Sequence, residues 1–330
     1  MVPSLDIVIV NWNSGDQLRD CLRSIAAADR DAIALGRVVV VDNGSVDGSA
    51  ERIDDIGLPT TLLQNGANLG FGAACNRAAA MCRSDYLLLL NPDTRIDPDT
   101  LARSVGHLAD HPEIGILGVR LVDEARRTQR SCARFPLVRH FVSKVLGLDR
   151  VAPAVFHGHL MLEWPHDGSR VVDQVMGAYF LMTRRLFERL DGFDERFFLY
   201  FEDVDFAWRA RAIGRPCYFL ADVAAYHRAG GTSDQVKPER IFYCLRSRII
   251  YARKHWGWGR AAALTAITIL AEPVSRLALA IVQLSPSVVI DTLRAYRMLI
   301  ADLPRIFSIP AAGRDDAGLA AQPVRPAGRH

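Results

Sequence analysis

"YLLLLNPDT" occupies Tyr86–Thr94. Four leucines in a row suit a strand buried on both faces, because a strand with one wet face would alternate apolar and polar residues. The run stops abruptly at Asn91, Pro92, Asp93 and Thr94, a cluster of turn formers. Buried strands that end in oxygen-bearing side chains are the pattern of an open parallel sheet, which binds its ligands beyond the carboxyl ends of its strands.

The flanking sequence repeats this pattern. "LDIVIV" (Leu5–Val10) is a β-branched run ending in "NWN", and "RVVVVDNGS" (Arg37–Ser45) is a second run ending in turn residues. "TTLLQN" (Thr60–Asn65) is a shorter third strand. Helical patterns lie between them. In "SGDQLRDCLRSIAAA", Leu18, Cys21, Leu22 and Ile25 share a face, with Ser14 or Asp16 as cap. "VDGSAERI" reads as the start of a second helix, and "GFGAACNRAAAMC" as a small-residue helix. "DPDTLARSVGHLADHP" is a helix with Asp97 at its N-cap and Pro98 at its first position. Strict alternation predicts an α/β fold with a parallel sheet and right-handed crossovers.

The pattern loosens after Glu113. "IGILGVRLVD" (Ile114–Asp123) reads as a strand, whereas residues 124–172 are basic, loop-rich and unassigned. "VDQVMGAYFLMTRRLFERLDGFDE" gives a strand and a short helix. A helix ending near Ala212 and a strand "PCYFLAD" follow. Pro238–Trp256 is a basic amphipathic helix with Ile241, Phe242, Leu245, Ile249 and Ile250 turned inward. In 257–310, "AAALTAITILA" is too short to span a bilayer, and Glu272-Pro273 and Arg276 interrupt its continuation. This region reads as helices packed on the protein or as a hairpin lying in a membrane interface, rather than as a spanning helix. Residues 311–330, small and polar with prolines, are expected to be disordered.

Composition narrows the class. A chain of 330 residues, 50% hydrophobic and 23% charged, is globular, and a net charge of +3 gives no reason to expect a nucleic-acid partner. Six cysteines without a CxxC pair argue against a zinc or disulfide framework and for a reducing compartment. The first apolar run lacks a basic leader and is too short for a signal sequence, so a cytoplasmic protein is expected.

Four features carry chemistry. Asn91 and Asp93 put two hard oxygens at the mouth of a strand, with Pro92 expected to keep the backbone extended and both side chains on one side. A divalent cation on a diphosphate needs few protein oxygens beyond these. "GFGAACN" is an incomplete dinucleotide fingerprint, better read as a close-packed helix start, with Asn68, Asn76 and Arg77 as polar contacts for a ligand. His227, in "AAYHRAGGTS", follows a strand and can complete a metal site. "FFLYFEDVDF" (Phe197–Phe206) sets Glu202, Asp203 and Asp205 among aromatics, where a helix start would favour ionised carboxylates.

Taken in order, these blocks resemble the family 2 glycosyltransferases, and most of all the rhamnosyltransferase-like branch that builds bacterial surface polysaccharides. The residues that carry the resemblance are "VIVNWNSGDQLRDCLRSI", "VVVVDNGSVDGS", "NLGFGAACNRA", "YLLLLNPDT", "QRSCARFP", "GAYFLMTRRLFERLDGFDERFFLYFEDVDFAWRARAIG" and "YHRAGGTS", over roughly 4–256. The resemblance implies a GT-A fold with a nucleotide-sugar-binding half (1–115), an acceptor-binding half (116–256) and an apolar extension (257–310). It implies donor contacts at Asn11, Asp42, Asn68, Asn76, Asn91 and Asp93. Asp93 and His227 would hold Mg2+ or Mn2+, with Asn91 standing where the family has an acid. Asp203 matches the catalytic base, and Glu202 and Trp208 are expected at the acceptor. Arg246, Arg248 and Lys254 on the late basic helix are expected to meet diphosphates. The implied reaction is inverting transfer from a nucleoside-diphosphate sugar, dTDP-rhamnose foremost, to a polyprenyl-diphosphate-linked glycan at the inner membrane surface. Inversion needs one base and no protonating acid, which fits one carboxylate better than the flanking pair of a retaining hydrolase. A dinucleotide-dependent oxidoreductase would need a glycine fingerprint after the first strand, and "VNWNSGD" does not supply one.

Overall fold

The computed structural model describes residues 2–51, 53–152, 155–228 and 236–308. The tail expected to be disordered and the glycines after His227 lie outside the described residues. The chain begins with β1 (Ser4–Asn11), α1 (Asp16–Ala26), β2 (Ala34–Asp42), β3 (Thr60–Gln64), α2 (Phe71–Ala79), β4 (Tyr86–Leu90), β5 (Thr94–Ile96), α3 (Thr100–Asp110) and β6 (Ile116–Val122). Then follow β7 (Cys132–Ala133), α4 (Val138–Val145), α5 (Leu148–Val151), β8 (Arg170–Val172), β9 (Gln174–Val175), β10 (Tyr179–Thr183) and α6 (Arg184–Arg189). The chain continues through α7 (Glu202–Ala212), β11 (Cys217–His227), α8 (Lys237–His255), α9 (Trp258–Ala266), α10 (Glu272–Val282) and α11 (Pro286–Ser308).

The main sheet has the order β3-β2-β1-β4-β10-β6-β11-β5, with β8 also paired to β11. Strands β3, β2, β1 and β4 are parallel, as their unbroken apolar runs suggest. The sheet is not wholly parallel, however: β10 runs antiparallel between β4 and β6, and β5 and β8 run antiparallel to β11. Apolar periodicity marks β10 as buried on both faces but carries no information on its direction. Leu18, Leu22 and Ile25 of α1 and Leu101 and Val105 of α3 cover one face of the sheet. Ala74 and Ala78 of α2, Phe206 of α7 and Ile249 of α8 belong to the core on the other.

Three local expectations give way to side-chain chemistry. "VDGSAERI" forms turns and a single 3-10 turn at Ile53–Ile56, because Asp47 accepts from the Ser49 and Gly15 amides and so competes with a helix. Helix α1 has Gly15, not Ser14 or Asp16, at its N-cap. Helix α3 starts at Thr100, and Asp97 instead pairs with Arg126.

The C-terminal region also differs from expectation. Pro273 does not interrupt the helix: α9 passes through a π turn at Ile267–Ala271 straight into α10. A widened turn gives the proline ring the room that a regular turn would deny it. Trp258–Val282 thus forms one helix of 25 residues whose most apolar stretch has a mean hydropathy of 1.6, long and apolar enough by length and composition to cross a membrane. Glu272 near its middle is buried and paired with Arg248 of α8, which ties it sideways to the core of the sheet domain. Helix α11 returns along α8, adding Ala295, Tyr296, Leu299 and Ile306 to that core.

Candidate active site

The strand ends meet as expected, but several of their residues serve one another. Asn11 is fully buried. Its amide nitrogen lies 2.9 Å from Asp42 Oδ1, 3.0 Å from Ser45 Oγ and 2.9 Å from Ser49 Oγ, and its oxygen accepts from the Ser14 hydroxyl. Asn11 therefore ties the loops after β1 and β2 and presents nothing to a ligand directly. The Asp42 carboxylate also accepts from the Ser45 amide at 3.2 Å. Next to it, Asn43 accepts from Asn65 and donates to Asn68, whose oxygen also takes the Gly70 amide. Asn68 is exposed at this mouth. Asn76, expected at the donor, has both ends of its amide engaged within the protein. Its amide nitrogen donates to the Phe193 carbonyl and Glu195, and its oxygen accepts from the Phe193 amide, so it pins the 192–195 loop.

Asn91–Thr94 is a turn rather than extended chain, closed by the Thr94 amide on the Asn91 carbonyl at 3.1 Å. Strand alternation therefore does not align Asn91 with Asp93. Asp93 is instead delivered to His227 by pairing of β5 with the end of β11, where Thr94 faces His227. Asp93 Oδ1 and His227 Nε2 stand 3.5 Å apart, both largely buried. Gln129 Nε2 donates to the His227 carbonyl, so its oxygen faces Nδ1 at 3.2 Å and Nδ1 carries the proton. Burial pushes the His227 imidazole down in spite of the Asp93 charge, so it stays neutral. A bare Nε2 lone pair beside a carboxylate oxygen is the donor set that suits a divalent cation, with phosphate and water oxygens supplying the remaining ligands. Among the described residues no third His, Cys, Asp or Glu joins them.

The third component is the start of α7. Tyr200 and Phe201 both have positive φ, 66° and 69°, a conformation that costs about 1–2 kcal/mol for a residue with a side chain. The reversal sets Glu202 and Asp203 in the first helical turn. The preceding segment is held from both sides. The Phe71 amide donates to the Phe198 carbonyl, and a Cβ on Gly70 would collide with that oxygen. From α8, Ser247 Oγ donates to the Leu199 carbonyl at 2.8 Å and Arg246 to that of Arg196 at 2.8 Å.

Asp203 is half-buried. Its Oδ2 accepts from Gln174 Nε2 at 2.8 Å and its Oδ1 from the Val204 amide at 2.8 Å. Burial raises its pKa, and the bonds from Val204, Gln174 and the Gly177 backbone offset that only in part. Glu202 is buried against Gly72 of α2 rather than open to an acceptor, with one carboxyl oxygen lacking a partner. Burial and the neighbouring Asp203 raise it well above the carboxylate range, so it keeps its proton. Asp205 is more than a helix-start acid. It is fully buried and accepts from Arg209, His255 and Lys254. Burial would raise it, but His255, Arg209 and Lys254 together hold it low.

The remaining expected residues lie elsewhere. Phe197 and Phe206, which flank the acids in sequence, are core residues. Trp208 packs edge-on against Phe135 and near His255. The three cations of α8 do not form a phosphate-binding face. Arg246 pairs with Asp302 of α11, Arg248 is buried on Glu272 and Thr268, and Lys254 bridges Asp194 and Asp205. Their spacing on an amphipathic helix was legible, but the acids that neutralise them come from distant segments. Gln174 and Gly177, which frame Asp203, escaped sequence reasoning because neither residue type signals chemistry. The acid pair inside an aromatic run was the usable signal nearby.

Comparison with known proteins agrees with this geometry. Residues 6–162 match Glycosyl transferase family 2. The chain is 28% identical over 290 residues to an N-acetylglucosaminyl-diphospho-decaprenol L-rhamnosyltransferase of Mycobacterium tuberculosis, covering 79% of this chain and 88% of that one. It is 26% identical over 269 residues to the rhamnosyltransferase WbbL of Escherichia coli, covering 75% and 92%. Among solved structures, the mannosyltransferase PcManGT of Pyrobaculum calidifontis, in complex with GDP-Man and Mn2+, superposes with a TM-score of 0.53 at 20% identity, over 93% of this chain and 88% of that one. S. aureus TarS in complex with UDP-GlcNAc gives 0.53 at 17%, over 93% and 84%. At such identities the structures speak for the fold alone, a GT-A fold with added C-terminal helices. With the sheet, the Asp93–His227 pair and the Glu202–Asp203 turn in place, the chain is similar to the family 2 glycosyltransferases over residues 6–162, and over most of its length to rhamnosyltransferases among them.

Proposed function

We propose that this protein is an inverting glycosyltransferase that moves rhamnose from dTDP-rhamnose to a hydroxyl of a polyprenyl-diphosphate-linked glycan, with Asp203 as its base. The observation that carries the reading is the Asp203 carboxylate, fixed by Gln174 and the Val204 amide yet raised by burial. A carboxylate so placed can take the acceptor proton as the hydroxyl attacks the anomeric carbon. Asp42, Asn68 and Asn91 border the donor mouth, and Asn11 acts by holding the loops that shape it. Asp93 and His227 would hold Mg2+ or Mn2+, which when bound neutralises the diphosphate leaving group. Residues 1–115 form the donor half of the transferase domain and 116–256 the acceptor half. The rhamnosyl donor and lipid-linked acceptor are supported by the names of the relatives.

The protein would work in the cytoplasm, peripherally at the inner face of the cell membrane, through residues 257–310. Leu270, Val274, Ile281, Val282 and Leu284 are exposed on α9–α10 and the following turn, while the Glu272–Arg248 pair holds that helix against the domain. Such a helix lies in an interface rather than across it. Glutamate at Leu270, Ile281 and Leu284 should release the protein from sedimenting vesicles, because these side chains are largely exposed and the fold does not depend on them; undiminished sedimentation would refute this placement. The reaction is tested by a panel of nucleoside-diphosphate sugars read by nucleoside diphosphate release. Acceptor-dependent release should be fastest with dTDP-rhamnose, and a faster different sugar would overturn the donor assignment.

A further inference from the structure

The segments 130–134 and 159–163 flank the Asp203 site and hold buried nitrogens without a hydrogen-bond partner. The bridge Ala133–Leu160 and the bond from the Arg134 amide to the His159 carbonyl, 2.8 Å, make Arg134 and His159 cross-strand neighbours. Arg134 Nη1 and His159 Nδ1 are both buried without a hydrogen-bond partner, although Arg134 also reaches Glu163 through its other terminal nitrogen. Buried donors left unsatisfied are rare in folded proteins and call for a specific cause. The basic groups outnumber the acids here, Glu163 being paired to Arg134 and Glu272 to Arg248. Burial and the surrounding His140, Lys144, Arg134 and Arg248 push the His159 imidazole down to about 4. Lys144 is exposed on α4, as is Arg139, and among the described residues neither enters an ion pair.

The position matters as much as the charge. Strand β7 pairs with β9, whose Gln174 holds Asp203. His159 therefore lies two strand spacings from β9, about 10 Å of backbone. On its other side α4 packs on α9 and the π turn, the start of the apolar hairpin. Helix α4, which carries Lys144, thus touches the hairpin proposed to meet lipid, and β7, which precedes Arg134, pairs with the strand that holds Asp203.

We propose that Arg134, His159 and Lys144 form an anion subsite for the diphosphate of the lipid-linked acceptor. The inference rests on the acceptor reading given above. With the neutral His159 carrying its proton on Nδ1, an oxygen-rich dianion would accept from that nitrogen, from Arg134 Nη1 and from the Lys144 ammonium at once, and would set the attached sugar toward Asp203.

The test uses the full chain and two acceptors with the same sugar, one on a lipid diphosphate and one on a neutral alkyl chain. Wild type should favour the diphosphate acceptor in kcat/KM by about tenfold or more. R134Q, H159Q and K144A should each pull that ratio toward one through the acceptor KM. Equal losses on both acceptors would make the cluster structural and overturn the subsite. A rise in donor KM instead would assign the cations to the nucleotide and overturn it equally. Calorimetry with inorganic pyrophosphate, the donor site filled with dTDP, separates this inference from the acceptor reading. Binding by wild type, weakened about tenfold in H159Q and K144A, supports the subsite even if neither acceptor is used, whereas no binding by wild type refutes it.

Discussion

The two ends of one sheet hold acids in opposite states. At its N-terminal edge, Asp6 is buried and accepts from the Arg37, Arg83 and Ser84 amides at 2.6, 2.6 and 2.8 Å. Burial would raise it, but the three amides hold it below the ordinary range. At the C-terminal edge, Asp203 is raised and Glu202 raised further, with one Glu202 oxygen unsatisfied. The lower edge is complete as folded. The upper edge leaves valences open where substrates must complete them. The boundary is narrow: Asp205, two residues past Asp203, is again held low by Arg209, His255 and Lys254. Structure and chemistry thus divide within a single helical turn.

Asp203→Asn should break the comparison most strongly. It keeps the shape and removes the base, so kcat should fall about 100- to 10,000-fold while dTDP-rhamnose still binds by calorimetry. Its stability should move the other way. A carboxyl whose folded pKa is raised favours folding while protonated and opposes it once pH exceeds that pKa. At neutral pH the Asp203→Asn protein should therefore melt no lower than wild type. Normal turnover would remove Asp203 from the base role.

Asp205→Asn is the matching change at the next inward-facing position. It strands Arg209, Lys254 and His255 around an uncharged group, which typically costs about 3–5 kcal/mol when a buried pair is broken. Urea unfolding should show that loss. A protein as stable as wild type, yet inactive, would give Asp205 a share in the chemistry.

The sequence showed half of this contrast. Four buried strand runs and their polar ends were readable because apolar continuity is a local property. Asp203 and the Asp93–His227 pair were reachable through motif, although only the β5–β11 pairing explains how Asp93 meets His227. The state of each acid was not readable. Asp6 depends on amides from 31 and 77 residues away, and Asp205 on side chains up to 50 residues away. The cations of α8 misled for the same reason: their acid partners Asp194, Glu272 and Asp302 lie far off in sequence.

Asp6→Asn should have a smaller effect, confined to stability. An amide offers one acceptor oxygen where the carboxylate gave two, and its NH2 would face a backbone donor. The loss should be about 2 kcal/mol near neutrality. Because the folded pKa of Asp6 is lowered, its contribution is present above the ordinary aspartate range and disappears as pH falls through the folded value. The difference between wild type and Asp6→Asn should therefore shrink toward acid in urea titrations. A constant gap at every pH would mean that packing, not charge, is lost.

Glu202→Gln should have the least effect, and it is the sharpest probe of the upper edge. Glu202 is buried against Gly72, and burial first, then the charge of Asp203, keeps its proton on at neutral pH. Glutamine has the same shape and no charge, so it mimics the neutral acid. Turnover should stay within about 1 kcal/mol of wild type in activation free energy. The acid limb of kcat/KM, which reports protonation of Asp203, should also keep its position above that of an exposed aspartate. The opposite result is equally definite. If Glu202 were ionised, deleting its charge would lower the Asp203 pKa, and the limb would shift to lower pH. That shift would show the two acids sharing a charge, and Asp203 would owe its raised pKa to its neighbour rather than to burial.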